Sequence, residues 1–128
     1  MRLLLDTHIA LWALADDARL PRQARGWIAD EDNQILVSTA SLWEISIKFA
    51  LKRGDMPVSA AQAEGWFRRA GYTLLDIKPA HAAAVERLPP LHADPFDRLL
   101  VAQALTEPLR LLTRNAAVAR YSNAIELI

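Results

Sequence analysis

The segment that decides the fold is Ile35-Leu36-Val37-Ser38, because a helical stretch over 41–53 follows it almost at once. A short apolar run that leads directly into a helix is typical of a strand buried on both faces of a parallel sheet. The same pattern occurs at residues 2–6 and at 109–113. Strands that alternate with helices predict an α/β fold with a mainly parallel central sheet between two helical layers.

Local signals place the other elements. Pro21 and Pro95 favour helix starts, and Gly54 is expected to end the helix that begins at Ser41. The predicted strands cover 2–5, 35–37, 72–77, 109–113 and 125–128. The predicted helices cover 7–15, 21–29, 41–53, 59–66, 79–88 and 94–107, with a further short helix after residue 113.

The composition limits the functional class. The chain has 128 residues, 52% of them hydrophobic, with 15 basic and 15 acidic side chains and no Cys. These values predict one domain over 1–128 and exclude disulfide frameworks and zinc–thiolate sites. The first apolar run is too short for a signal peptide or a membrane span, so we expect a cytoplasmic protein. Neutral net charge argues against a binder held to nucleic acid by bulk charge, although Arg outnumbers Lys, which suits local phosphate contacts.

Four acidic residues attract attention, and each also has a local explanation. Asp6 and Asp94 precede predicted helices as N-caps, and Asp97 falls at the third position of its helix, where the helix dipole favours an anion. Glu44 follows Ser41 by three residues, the spacing of a capping box. These local roles alone would imply no chemistry.

Together the four acids indicate a metal site. Ligands of such sheets bind beyond the carboxyl ends of the strands, where Asp6 lies and where Asp97 and Glu44 can converge. Clustered carboxylates repel by about 1 kcal/mol per pair in water, and by more where the site is dry. A hard cation such as Mg²⁺ or Mn²⁺ relieves this repulsion and promotes phosphodiester hydrolysis.

Other catalytic motifs are weak or absent. The sequence has no Walker loop and no Gly-rich dinucleotide motif, and its three His do not form a metal-binding pair at helical spacing. We expect His81 at the surface, and His8 and His92 near the crevice in packing or capping roles. Ser38 lacks the surroundings of a nucleophile, so we interpret it as a hydroxyl that holds a metal-bound water or phosphate.

Four ordered motifs carry a family resemblance. They read Leu5-Asp6-Thr7-His8, Val37-Ser38-Thr39-Ala40-Ser41-Leu42-Trp43-Glu44-Ile45, His92-Ala93-Asp94-Pro95-Phe96-Asp97-Arg98-Leu99-Leu100-Val101-Ala102-Gln103-Ala104 and Leu112-Thr113-Arg114-Asn115. Over nearly the whole chain the sequence resembles the PIN-domain ribonucleases, specifically the VapC toxins of bacterial toxin–antitoxin pairs.

The resemblance implies a Mg²⁺-dependent endoribonuclease, with Mn²⁺ as a possible substitute. It assigns the catalytic acids as Asp6, Glu44, Asp94 and Asp97, of which Asp6, Asp97 and Glu44 bind metal. Ser38, Thr113 and Asn115 would support them. Asn115 departs from the family, because many relatives carry a fourth acid there; the departure leaves one-metal and two-metal mechanisms open. Arg98 and Arg114 would neutralise the acids or hold the RNA backbone, and for Arg98 we favour neutralisation.

The resemblance also implies a homodimer and a VapB-type antitoxin whose tail covers the active site. It implies no membrane partner. The helix from Ser41 carries two apolar stripes, Leu42/Ile45/Phe49 and Trp43/Ile47/Ala50. Two stripes fit either a helix sandwiched in the core or one that contacts a second chain.

Two other functions stay open at this point. The chain could be a PIN-like binding module with weak metal affinity, given Asn115, that acts through its antitoxin as a DNA-bound repressor complex. It could also be a structure-specific DNA nuclease with the same acids, although its small size and neutral charge disfavour that role.

Overall fold

The structure, a computed structural model, describes residues 1–53 and 55–128. The strands within these ranges are β1 (Arg2–Leu5), β2 (Gln34–Ser38), β3 (Thr73–Leu75), β4 (Arg110–Thr113) and β5 (Ile125–Leu127). The helices are α1 (Thr7–Ala15), α2 (Arg22–Ala29), α3 (Thr39–Ala50), α4 (Ala60–Arg69), α5 (Pro79–Ala84), α6 (Pro95–Thr106) and α7 (Ala116–Ala119). A 3₁₀ turn over Val85–Arg87 follows α5.

The strands form one sheet in the order β3-β2-β1-β4-β5, and every neighbouring pair is parallel. Leu4 at the centre pairs with Leu36 on one side and Leu111 on the other. The predicted α/β/α fold with a mainly parallel sheet is therefore confirmed.

Alternating side chains divide the core between the two faces of the sheet. Leu3 and Leu5 belong to the cluster that packs on α1, α2 and α4, where Phe67 is fully buried. Leu4 belongs to the opposite cluster, which packs on α6. Both faces are therefore covered by helices, as parallel sheets require.

Helix α3 begins two residues earlier than predicted, at Thr39 and not at Ser41. Ser38 ends β2 and is also the N-cap of α3, since its Oγ accepts a hydrogen bond from the Ala40 N–H at 3.0 Å. The helix begins at Thr39, so the capping box predicted for Ser41 and Glu44 is wrong. The predicted stop of this helix at Gly54 lies outside the described residues.

His81 also departs from expectation, because it is completely buried rather than at the surface. Its Nδ1 accepts from the Lys78 N–H at 3.0 Å, and its Nε2 lies 2.7 Å from Glu107 Oε2. This contact lowers the pKa of Glu107, with Lys78 contributing. The histidine fixes α5 to the end of α6 and lies outside the acidic pocket described below.

The order of the strands creates one topological switch point between β1 and β4. From β1 the chain continues to β2 on one side, whereas β4 and β5 add on the other side. Loops leave the carboxyl ends of β1 and β4 in opposite directions, and this opens a crevice between them. No helix in the described part of the chain is long and apolar enough to cross a membrane.

Candidate active site

An open pocket of about 590 Å³ occupies the crevice. Polar and charged side chains dominate its wall. The lining residues are Asp6, Thr7, His8, Glu44, Lys48, His92, Asp94, Asp97, Arg114, Asn115 and Ala116. The structure thus brings together the four acids that the sequence singled out from three distant segments.

Asp6 stands at the bottom of the pocket. It follows β1, is 8% exposed, and caps α1 by accepting from the Ile9 N–H at 2.9 Å. Burial raises the pKa of Asp6, against the hydrogen bonds from Ile9 and from the Thr113 hydroxyl, which lower it. The negative charge of Asp97 raises this pKa further. The local capping role and the place in the crevice are therefore two features of one side chain.

Glu44 points inward from α3 and is held at both oxygens. The Thr7 hydroxyl donates to Oε1 at 2.6 Å, and Lys48 Nζ lies 2.5 Å from Oε2. Thr7 also lies 2.9 Å from the Ser41 hydroxyl. Because Glu44 is 5% exposed, Lys48 forms a partly buried ion pair with it.

Asp94 and Asp97 open α6 in different ways. Asp94 is the N-cap: its Oδ1 accepts from Phe96 N at 2.8 Å and from Asp97 N at 3.1 Å. Asp97 is the third residue of α6 and lies in its first turn, where its Oδ2 is 2.8 Å from His92 Nε2. Burial raises the pKa of Asp97, the hydrogen bond from His92 lowers it, and the charges of Asp94 and Glu44 raise it.

The three supporting residues separate into two groups. Thr113 is buried at the end of β4 and contacts Asp6, while its Oγ1 also accepts from the Asn115 N–H at 3.0 Å. Asn115 lines the pocket and caps α7 through Oδ1. Ser38 is fully buried and its hydroxyl caps α3, so the expected hold on a metal-bound water or phosphate finds no support.

The two arginines also separate. Arg114 is exposed at the rim of the pocket, where its guanidinium lies 5.8 Å from the Trp12 ring. The expectation that Arg98 neutralises the acids is contradicted by its contacts. Its guanidinium donates to backbone carbonyls of the preceding loop and to the Tyr121 hydroxyl. Lys48 and His92 make the close contacts with the acids instead.

Sequence reasoning missed the roles of Thr7 and His92 here. The contact of Thr7 with Glu44 joins residues 37 positions apart, so no local pattern predicts it. His92 was placed near the crevice, but its bond to Asp97 spans a loop whose path the sequence does not show. The one available signal was that both residues stand within two positions of an acid in the quoted motifs.

The chemistry of the donor set fits a hard divalent cation in part. Its acids offer oxygen only, and burial raises the pKa of Asp6 and of Asp97, so a cation would stabilise their ionised forms. Within the ranges that the structure describes, however, no three acidic or imidazole groups are already gathered as a metal cage. Mg²⁺ commonly uses one or two carboxylates together with water and substrate phosphates, so the buried Asp6 and the half-buried Asp97 at the switch point suit it.

A parallel α/β sheet with acids at its switch point places the chain in the class of α/β proteins whose ligands bind at the carboxyl ends of the strands. The family within this class is also clear. The PIN domain profile matches residues 3–124, so the chain belongs to the PIN domain family. PIN domains are metal-dependent nucleases.

Solved structures agree on the fold. VapBC2 from Rickettsia felis bound to a DNA fragment from their promoter matches with a TM-score of 0.70 and 18% identity, over 99% of this chain and 98% of that one. A toxin–antitoxin complex from Klebsiella pneumoniae has a TM-score of 0.64 at 17% identity, over 97% and 95%. FitAcB from Neisseria gonorrhoeae has a TM-score of 0.64 at 15% identity, over 98% and 96%. No curated protein matches the chain by sequence.

Proposed function

We propose that this chain is a Mg²⁺-dependent endoribonuclease that acts as the toxin of a toxin–antitoxin pair. The observation that carries the proposal is the gathering of Asp6, Glu44, Asp94 and Asp97 in one pocket at the switch point of a PIN domain. We favour RNA over DNA as the substrate because the chain is small and neutral and, apart from Asn115, carries the VapC-like motifs.

Asp6 and Asp97 are the residues that would hold Mg²⁺. When bound, the cation supplies Lewis-acid activation of the phosphodiester and charge for the departing oxygen. Glu44, which Thr7 and Lys48 hold, would bind a second metal ion or polarise the attacking water. Arg114 at the rim is placed to bind a phosphate of the chain that enters the pocket.

The test is cleavage by the purified chain of single-stranded RNA, structured RNA and a DNA flap, each with Mg²⁺, with Mn²⁺ and with a chelator. We expect cleavage of RNA that needs the divalent ion and is abolished by Asp6→Asn and by Asp97→Asn. Asp76→Asn is the matched control, because Asp76 is an exposed Asp outside the pocket.

Each alternative outcome has a distinct meaning. Preference for the flap would indicate a DNA nuclease. No cleavage by any variant, together with tight binding of an antitoxin and its operator DNA, would indicate the catalytically weak binding module. Equal cleavage by wild type and both pocket variants would mean that Asp6 and Asp97 have structural roles alone.

A VapB-type antitoxin is the partner we propose, since the solved structures similar to this chain include toxin–antitoxin complexes. An apolar groove of about 580 Å³ runs between α1 and α4, lined by Leu11, Leu14, Val58 and Trp66 among others. Helix α1 is about 13 Å long and connects the two sites: its N-cap Asp6 lines the pocket, and its Leu11 and Leu14 line the groove. One antitoxin segment could fill the groove while its tail covers the pocket, placing an Arg among the carboxylates. Arg→Ala changes in that tail should then abolish inhibition.

A homodimer is the assembly we propose for the chain itself. Of the two stripes on α3, Ile45 is buried, whereas Trp43 is 58% exposed and Phe49 45% exposed. The sandwiched-helix interpretation is therefore wrong for this chain. The exposed Trp43 packs edge-on to the half-buried Phe96 at 5.3 Å, and this aromatic surface suits a contact with a second copy.

A further inference from the structure

Arg98 binds the loop that leads into α6. Its Nη1 donates to the Pro89 carbonyl at 3.0 Å and to the His92 carbonyl at 3.4 Å. Its Nη2 donates to the carbonyls of Val85 at 3.2 Å and Leu88 at 3.4 Å. One guanidinium therefore contacts four carbonyls of the segment between Val85 and His92, and its rigid fork of donors makes this possible.

Tyr121, which follows α7, contacts both Arg98 and His92. Its hydroxyl accepts from Arg98 Nη1 at 2.9 Å and from the His92 N–H at 3.1 Å. It also donates to the His92 carbonyl at 3.4 Å. The backbone of His92 is thus held at both its N–H and its C=O.

The imidazole of His92 then meets the pocket. Its Nε2 lies 2.8 Å from Asp97 Oδ2, and because an ionised carboxylate only accepts, Nε2 is the donor. This bond engages one carboxylate oxygen of Asp97 and leaves the other for the pocket. Histidine–carboxylate contacts of this kind around metal sites orient a ligand and raise its affinity.

We propose that His92 is a positioning residue of the acidic pocket, which fixes the Asp97 carboxylate for a divalent cation, and that Arg98 and Tyr121 hold His92 in place. The inference rests on the proposed function, since it assumes that Asp97 binds the cation. Arg98 would then act on the pocket indirectly, through the loop that carries His92.

The test measures Mn²⁺ affinity by calorimetry on the full chain, together with thermal melting without metal. His92→Ala should weaken Mn²⁺ binding roughly 10- to 100-fold with little change in Tm. His92→Gln should recover most of the affinity, because its amide nitrogen can donate where Nε2 did. Tyr121→Phe and Arg98→Lys should weaken binding by a smaller factor. Arg87→Ala, in the exposed part of the same segment, should bind as the wild type does.

The outcomes separate this inference from the proposed function. Wild-type affinity in His92→Ala would overturn the positioning role while the metal site stands. Equal losses in His92→Ala and His92→Gln would also overturn it, because the donated hydrogen bond would then be irrelevant. A wild-type chain that binds no Mn²⁺, alone or with uncleavable RNA, would overturn the metal site and the positioning role together.

Discussion

Asp94 offers the sharpest separation between a capping role and a metal role. Its Oδ1 accepts two N–H groups of the first turn of α6. Removal of such a cap costs about 1 kcal/mol. Unfolding entropy is about 2.1 cal/mol/K per residue, so for 128 residues we expect Asp94→Ala to lower Tm by about 4 °C. Asp94→Asn keeps an acceptor oxygen at this position and should melt within about 1 °C of the wild type.

The same pair of variants then reports on the charge. Asp94 lines the pocket, and its charge raises the pKa of Asp97. Asp94→Asn should therefore bind Mn²⁺ more weakly than the wild type although its stability is unchanged. Thermal melts and calorimetry on the three proteins check both parts. If Asp94→Asn melted as low as Asp94→Ala, the capping assignment would be refuted; unchanged Mn²⁺ affinity in Asp94→Asn would refute the contribution of its charge.

Four further expectations follow from the pocket and the surface. Asn115→Asp should keep the cap of α7 and add an anionic oxygen, so calorimetry should show tighter Mn²⁺ binding or a second site; identical isotherms would show that this position does not face the ion. Because the pKa values of Asp6 and Asp97 are raised, Mn²⁺ binding should weaken as pH falls, starting above the range of an ordinary Asp. In the metal-free protein the sign is opposite: the folded state takes up these protons first, so the stability advantage of Asp97→Asn over wild type should be largest near neutral pH and shrink on acidification. An advantage that grows on acidification in urea titrations would contradict the raised pKa of Asp97. Trp43→Lys should convert a dimer to a 14.3 kDa monomer in light scattering, and a wild type that is already monomeric would exclude this interface.

Sequence patterns could locate the strands and the acids because both depend on local chemistry. The apolar run at 35–37 and the acid after residue 5 are visible without any tertiary information. The start of α3 was misplaced because Ser38 serves as both the last strand residue and the helix cap, and the sequence offered a second plausible cap at Ser41. The direction of Arg98 was not predictable. It depends on loop carbonyls that reach the guanidinium only after the chain has folded.

Capping and chemistry proved to be compatible explanations of the same residues. Asp6, Asp94 and Asn115 each cap a helix, and all three line the pocket. A capping carboxylate commits one oxygen to backbone N–H groups and leaves the second free, so a cap can also be a ligand. Helix N-termini that converge on one crevice favour negative charge by about 0.3–1 kcal/mol each, which offsets part of the repulsion between the acids. The same field favours a phosphate of the substrate. The fold therefore allows several acids in one pocket before any cation is bound. Burial and, to a smaller degree, the neighbouring acids raise the pKa of Asp6 and of Asp97, and a bound cation would offset the cost of keeping both ionised.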